Sequence, residues 1–266
     1  MLSLVDSGSG TVVGSVRGEN VLLDVYRTGS GPTLLLLHGA EGREADEAFT
    51  DALAERFTVV APSHPGFGLS PRPDWCDSVD DLAYLYLEWL EQQDLHDVVV
   101  VGLQFGGWVA AEMAVRECSR IGRLVLVDPV GIKVGGREDR DITDVFAISR
   151  AELDSRNYAD PAAGPGDLAL APHEDVLHIA RNEEALALYG WEPYLHNPRL
   201  RRWLGRVHVP ALVIWGAQDG IVSPEYGRAY ADSIPGARFE LVEGAGHRAQ
   251  IEQPDTLAEL VVEHAA

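Results

Sequence analysis

A chain of 266 residues is long enough for one large α/β core, and 46% apolar with 24% charged residues is the composition of a folded domain rather than a disordered or fibrous one. Its 42 acidic residues against 21 basic ones give a net charge of −21, which repels phosphate backbones and anionic lipid and so excludes nucleic acid and membrane as expected partners. Two cysteines, Cys76 and Cys118, make neither a disulfide framework nor a metal set, and two reduced thiols in a cytoplasmic protein are expected.

In chain order, residues 1–10 lack the basic and apolar stretches of a secretory signal. No apolar run approaches the roughly 18 residues of a membrane span. Residues 11–17 and 20–27 read as a hairpin around Gly18-Glu19-Asn20. Apolar runs follow at 33–37, 57–61, 98–101, 123–127, 211–215 and about 238–242. They are continuous rather than alternating, the pattern of parallel strands covered on both faces. Amphipathic helical stretches lie between them, at about 44–55, 79–93, 106–118, 224–233 and 253–264, with Asp77-Ser78 as the cap of the second. Alternating strands and helices predict a doubly wound, mostly parallel sheet of eight strands, which binds ligands at the carboxyl ends of its strands.

The rhythm breaks once. Residues 131–205 read as helical, interrupted by the Pro/Gly stretch 160–166 and by Pro172, Pro193 and Pro198. The expected organisation is a core of residues 1–130 and 206–266 with a helical cap of residues 131–205 inserted over the strand ends, and 160–166 as a mobile loop in it.

The segment Val98–Gly107 reads as a buried strand entering a tight Gly-flanked turn and then a helix. That is the context of a nucleophile elbow, G-x-S-x-G, but here the sequence is Gly102-Leu103-Gln104-Phe105-Gly106. A carboxamide is uncharged and a poor nucleophile. Three further loops fall at strand ends: His38-Gly39-Ala40, Gly216-Ala217-Gln218-Asp219 and Gly244-Ala245-Gly246-His247. The order elbow, Asp, His is that of a hydrolase triad.

With His64-Pro65-Gly66-Phe67-Gly68-Leu69-Ser70 and Glu252-Gln253-Pro254, these motifs make the chain resemble the α/β-hydrolase fold superfamily over essentially its whole length. Within it the pattern is most similar to capped carbon–carbon and ester hydrolases, the group of meta-cleavage-product hydrolases and haloperoxidase-like esterases. The resemblance implies His247 as general acid/base, Asp219 as its orienting acid, and the Ala40 and Phe105 N–H groups as an oxyanion hole. Gln104 departs from the family pattern. Three explanations stay open: a His–Asp dyad acting on water or substrate without a nucleophile, with Gln104 orienting a water; a catalytically silent binding protein; or a replaced serine, natural or introduced. Ser63 and Ser70 are minor candidates for a substitute nucleophile, and Asp128 for an alternative acid.

Cap aromatics Phe146, Tyr158, Tyr189, Trp191 and Tyr194, with His38 of the His-Gly loop, are candidates for the pocket wall, and Phe146, Trp191, Tyr194 and His38 are the ones singled out. His173 and His178 are five apart, the wrong spacing for a metal helix. The expected protein is a metal-free and cofactor-free hydrolase-like enzyme acting on a small carbonyl or ester-like compound, with a ligand-binding homologue as the alternative.

Overall fold

The apolar runs alternate in allegiance, which is why they are continuous. Leu35 and Leu37 pack into one cluster and Leu34 and Leu36 into another; Val98 and Val100 join the first, Val99 and Val101 the second. Each of these strands therefore feeds two cores, one on each face of a single sheet.

The computed structural model describes residues 8–16 and 19–266. The chain start and the Arg17–Gly18 corner, where the absence of a leader and the hairpin turn were expected, lie outside the described residues. The strands are β1 (Gly8–Val16), β2 (Glu19–Thr28), β3 (Thr33–Leu37), β4 (Thr58–Pro62), β5 (Val98–Leu103), β6 (Ile121–Val127), β7 (Ala211–Gly216) and β8 (Arg238–Val242). They form one sheet in the order β1-β2-β4-β3-β5-β6-β7-β8. β1 with β2 and β2 with β4 are antiparallel; every other pair is parallel.

Nine α-helices are present among the described residues: α1 (Glu47–Ala54), α2 (Val79–Gln92), α3 (Gln104–Arg116), α4 (Arg150–Asn157), α5 (His173–Gly190), α6 (Leu200–Trp203), α7 (Pro224–Ala231), α8 (Ala249–Glu252) and α9 (Pro254–Ala265). α2, α3 and α7 cover one face through Trp89, Met113 and Tyr230; α1 and α9 cover the other through Phe49, Leu53, Leu257 and Val261. Ser78 is the residue that starts α2. Its hydroxyl accepts from the Asp81 N–H, and the Asp81 carboxylate accepts from the Ser78 N–H, a reciprocal cap. No described helix is long and apolar enough to cross a membrane.

The segment between β6 and β7 carries α4, α5 and α6, but its first third departs from the helical expectation. Residues 133–149 hold no helix, because side chains take over the backbone donors. Asp141 accepts from the N–H groups of Val134 (2.8 Å) and Gly135 (2.9 Å), and Asp139 from that of Gly136 (2.6 Å). The 160–166 stretch, expected as a mobile loop, holds a one-turn 3-10 helix at Pro161–Ala163, and the Glu252 carboxylate accepts from the N–H groups of Ala159 and Asp160 just before it.

The turn out of β5 needs both of its glycines. A Cβ on Gly102 would sit 2.5 Å from the Gly106 carbonyl oxygen, and one on Gly106 would sit 2.1 Å from that of Leu37 in β3. Neither obstacle is a side chain that can swing away. Gly106→Ala is therefore expected to destabilise the fold by about 2–3 kcal/mol, read as a lower denaturant midpoint at unchanged slope.

Candidate active site

Gln104 lies where β5 becomes α3, with φ of 45°. A non-glycine residue in that region costs energy unless its surroundings impose it. Here the glycines on either side hold the turn tight, and the Gln104 side chain is directed into a buried polar cluster rather than into solvent; the residue is 2% exposed. Its Nε2 donates to Gln250 Oε1 (3.0 Å), while its Oε1 accepts from Arg248 Nη1 (3.2 Å) and, more weakly, from Gln250 Nε2 (3.4 Å). Gln250 Nε2 donates in turn to Asp46 Oδ1 at 3.0 Å. Arg248 closes the cluster with an ion pair to Glu41. The Gln104 oxygen also lies against the backbone of the His38-Gly39-Ala40 loop, since a Cβ on Gly39 would be 2.3 Å from it.

Burial pushes the Asp46 carboxyl up to about 7, against the Gln250 hydrogen bond that favours its charged form. Folded Asp46 thus keeps its proton across a range in which the unfolded chain, with a carboxyl near 4, has lost it. Its contribution to stability is full below about pH 4 and is lost as pH rises through about 7. Between those limits the loss approaches about 1.4 kcal/mol per pH unit. Asp46→Asn should flatten the stability profile over that window relative to the parent, read by chemical denaturation at pH 5, 6 and 7. Parallel profiles would count against a proton held at Asp46.

His247 and Asp219 come together as expected. His247 Nδ1–H donates to Asp219 Oδ2 at 2.8 Å, which leaves Nε2 with its lone pair free. Asp219 is fixed from the other side by the N–H groups of Ile221 (2.8 Å) and Val222 (2.9 Å) on its Oδ1. The histidine loop is held by Glu252, which accepts from the Gly246 N–H at 2.7 Å. Gly246 itself sits so close to β7 that a Cβ on Gly216 would be 2.0 Å from its carbonyl oxygen.

Asp128 is the neighbour, not the partner, of this pair. It is fully buried, accepts from the Gly216 N–H at 2.7 Å, and has its carboxyl driven well above the usual carboxylate range by burial first and the Asp219 charge second. Ser63 and Ser70 are also fully buried, and the Ser70 hydroxyl donates to the Ser63 carbonyl at 2.8 Å, so neither stands at the cavity.

A cavity of about 920 Å³ opens above these residues. Ala40, Gln104, Phe105, His247 and Arg248 line it from the strand ends, and Phe146, Tyr158 and Leu186 from the segment between β6 and β7. The other pocket candidates stand elsewhere. Trp191 and Tyr194 line a separate hollow of about 330 Å³ beside Asp141 and His196. The Tyr194 hydroxyl is committed to the backbone, accepting from the Val145 N–H and donating to the Thr143 carbonyl. Tyr189 donates to the Pro65 carbonyl below the cavity. His38 is buried beneath the site: its Nε2 accepts from the His64 N–H (2.9 Å) and its Nδ1–H donates to the Gly39 carbonyl (2.7 Å). Burial holds both His38 and His64 well below the ordinary imidazole range, His64 down to about 3. They are neutral struts for the loop that carries Ala40.

Glu41, Asp46, Asn157, Arg248 and Gln250 are site residues that motif reading missed. Arg248 follows His247 directly and carried a signal, a basic residue beside the expected base. Asp46 and Gln250 carried none, being 204 positions apart. Among the described residues no group of three or more His, Cys, Asp or Glu is placed to hold a metal ion.

The sequence profile of the α/β hydrolase fold family matches residues 32–254, and the chain belongs to that family. It is 27% identical over 285 residues, with 92% of each chain covered, to a 2-hydroxymuconate semialdehyde hydrolase of Pseudomonas putida. It is 28% identical to the dihydrolipoyllysine-residue acetyltransferase component of an acetoin cleaving system from Cupriavidus necator, covering 89% of this chain and 64% of that protein's length. Among solved structures, a meta-cleavage product hydrolase from Pseudomonas fluorescens IP01 superposes with a TM-score of 0.76 at 21% identity (95% and 96% covered), and a bromoperoxidase from Bacillus anthracis with 0.73 at 20% (96% and 99% covered).

Proposed function

We propose that this chain is an enzyme in which the Asp219–His247 pair acts as general base on a small, partly apolar carbonyl or ester-like substrate, with no covalent intermediate at position 104. The observation that carries this reading is the 2.8 Å bond from His247 Nδ1 to Asp219, with His247 lining the cavity beside Gln104. In the proposed reaction His247 Nε2 takes a proton from water as the water oxygen bonds to the substrate carbonyl carbon. The carbonyl π pair moves to its oxygen, which faces the Ala40 and Phe105 N–H groups. The tetrahedral centre then collapses, and the leaving group takes the proton from the imidazolium. The substrates named for relatives, such as 2-hydroxymuconate semialdehyde, support a small carbonyl compound.

Gln104 fits a different part from the water-orienting one expected of it. Its carboxamide oxygen is occupied by Arg248 and Gln250, so it serves to hold Arg248. The same reading takes residues 131–205 as a cap over a core of 1–130 and 206–266, a small molecule as the only partner class, and a cytoplasmic setting. A fluorophosphonate probe should leave the purified protein unlabelled, because no serine hydroxyl is presented to His247. Stoichiometric labelling at any serine would overturn the non-covalent reading.

A second reading, a catalytically silent homologue that binds a ligand in this cavity, is favoured by one feature. The Gln104 oxygen lies on Gly39, next to the Ala40 N–H that an oxyanion would need.

A further inference from the structure

Arg248 is 5% exposed, an unusual depth for a guanidinium, and it lines the cavity. Arginine presents five N–H donors in a fixed fork. Nη1 is used on Gln104 and Nη2 on Glu41. The Nε–H has no acceptor among the described residues. Two more orphaned atoms belong to residues lining the same cavity: Oδ1 of Asn157, a residue 3% exposed, and the second carboxylate oxygen of Glu41. Buried polar atoms are normally paired; Arg150 Nε and His178 Nε2 on the same wall face carboxylates at 3.3 Å, which leaves these three without a partner, and of them the Arg248 Nε–H is the donor that an anion brought by a ligand would satisfy. The two charges also differ in depth: the side chain of Arg248 is 6% exposed and that of Glu41 is 29%. The acid is the member of the pair with room to leave.

We propose that Arg248 is the cation of an anion subsite in the cavity floor, that Asn157 is its neutral neighbour, and that the Glu41 carboxylate is an internal occupant which a substrate carboxylate displaces. This deepens the reading of the cavity as a reaction site by naming a substrate class, a monocarboxylate with a hydrocarbon body. One guanidinium and one amide suit a single negative charge. The other arginine lining the cavity, Arg150, is already engaged by Asp154 (3.3 Å) and Glu183 (2.9 Å). Val145, Phe146, Leu153, Leu186, Ile221 and Ile251 supply apolar wall. A carboxylate would accept in parallel from the guanidinium fork. The Asn157 carboxamide, whose oxygen and nitrogen exchange by a flip, would turn its N–H₂ toward the same anion. Gln104 holds Nη1 throughout, so the guanidinium does not follow Glu41 as it swings out.

An internal occupant has a signature that an ordinary ion pair lacks: neutralising it should strengthen binding. The probes are 4-phenylbutyrate and its uncharged amide, titrated calorimetrically into the full chain. The acid should bind the parent more tightly than the amide does. Glu41→Gln should tighten the acid by about tenfold or more, and Arg248→Gln should weaken it by at least as much. Affinity for the amide should change little in either variant. If Arg248→Gln fails to fold, Glu41→Gln still decides the matter, and a rise in Tm with 4-phenylbutyrate reads the same effect should that variant be less stable. Equal affinity for acid and amide, or no tightening in Glu41→Gln, overturns the subsite. Because binding is read without turnover, that failure would leave the general-base role of His247 standing.

Discussion

Gln104→Ser is expected to create esterase activity on short acyl esters. The hydroxyl would stand on a turn already at φ of 45°, at the head of α3, in a cavity that His247 also lines. The shorter side chain would also clear the space against Gly39 that the carboxamide oxygen occupies, exposing the approach to the Ala40 N–H. A serine activated by a neighbouring base is what acyl transfer requires. The gain should be on the order of 10²-fold over the parent, well short of the roughly 10⁶-fold that an evolved serine contributes, because the surroundings were not shaped for it. Adding Asp219→Ala or His247→Ala to that variant should return the rate to the parent's. A serine variant that hydrolyses p-nitrophenyl acetate no faster than the parent would mean that the cleft does not present the hydroxyl to His247.

His247→Ala in the otherwise unchanged chain is expected to lose about 10²–10⁴-fold in turnover of the native substrate, the usual worth of a positioned general base. Binding of that substrate should be nearly unchanged, since on the general-base reading His247 would contribute its lone pair to the reaction rather than to the grip. The loss should therefore fall on kcat and leave KM in place. Asp219→Asn should lose somewhat less, because it alters the tautomer and orientation of the imidazole while leaving the ring present. Turnover unaffected by His247→Ala would put the ligand-binding reading ahead.

The fold was legible because its signals are local. Leu34 to Leu37 and Val98 to Val101 are apolar at every position since each strand feeds two cores, and that alone implies helices on both sides of a parallel sheet. The Asp219–His247 pair was legible because strand-end loops in a doubly wound sheet converge on one edge. Where reading failed, the missing information was long-range or side-chain specific. Residues 133–149 carry helix-compatible composition, but Asp139 and Asp141 satisfy the backbone in another way. Trp191 and Tyr194 are aromatic and lie in the right segment, yet they face a different hollow, and nothing in an aromatic side chain announces direction. The cluster around Gln104 joins positions 46, 104, 248 and 250, and no spacing rule connects them.

That cluster also bears on how this sequence can change. Asp46, Gln250, Gln104 and Arg248 form a head-to-tail series in which each member donates to or accepts from the next. A serine at 104 would strand Arg248 Nη1 and the Gln250 Oε1 in a buried setting, each at a cost of about 1–3 kcal/mol, while Gln250 Nε2 keeps Asp46. Substitutions at these positions should therefore be strongly epistatic: tolerated in some orders, rejected in others, and poorly predicted by adding single effects. Position 104 is entrenched by its neighbours, so a lineage at this point acquires a serine elbow more readily after Arg248 or Gln250 has changed than before.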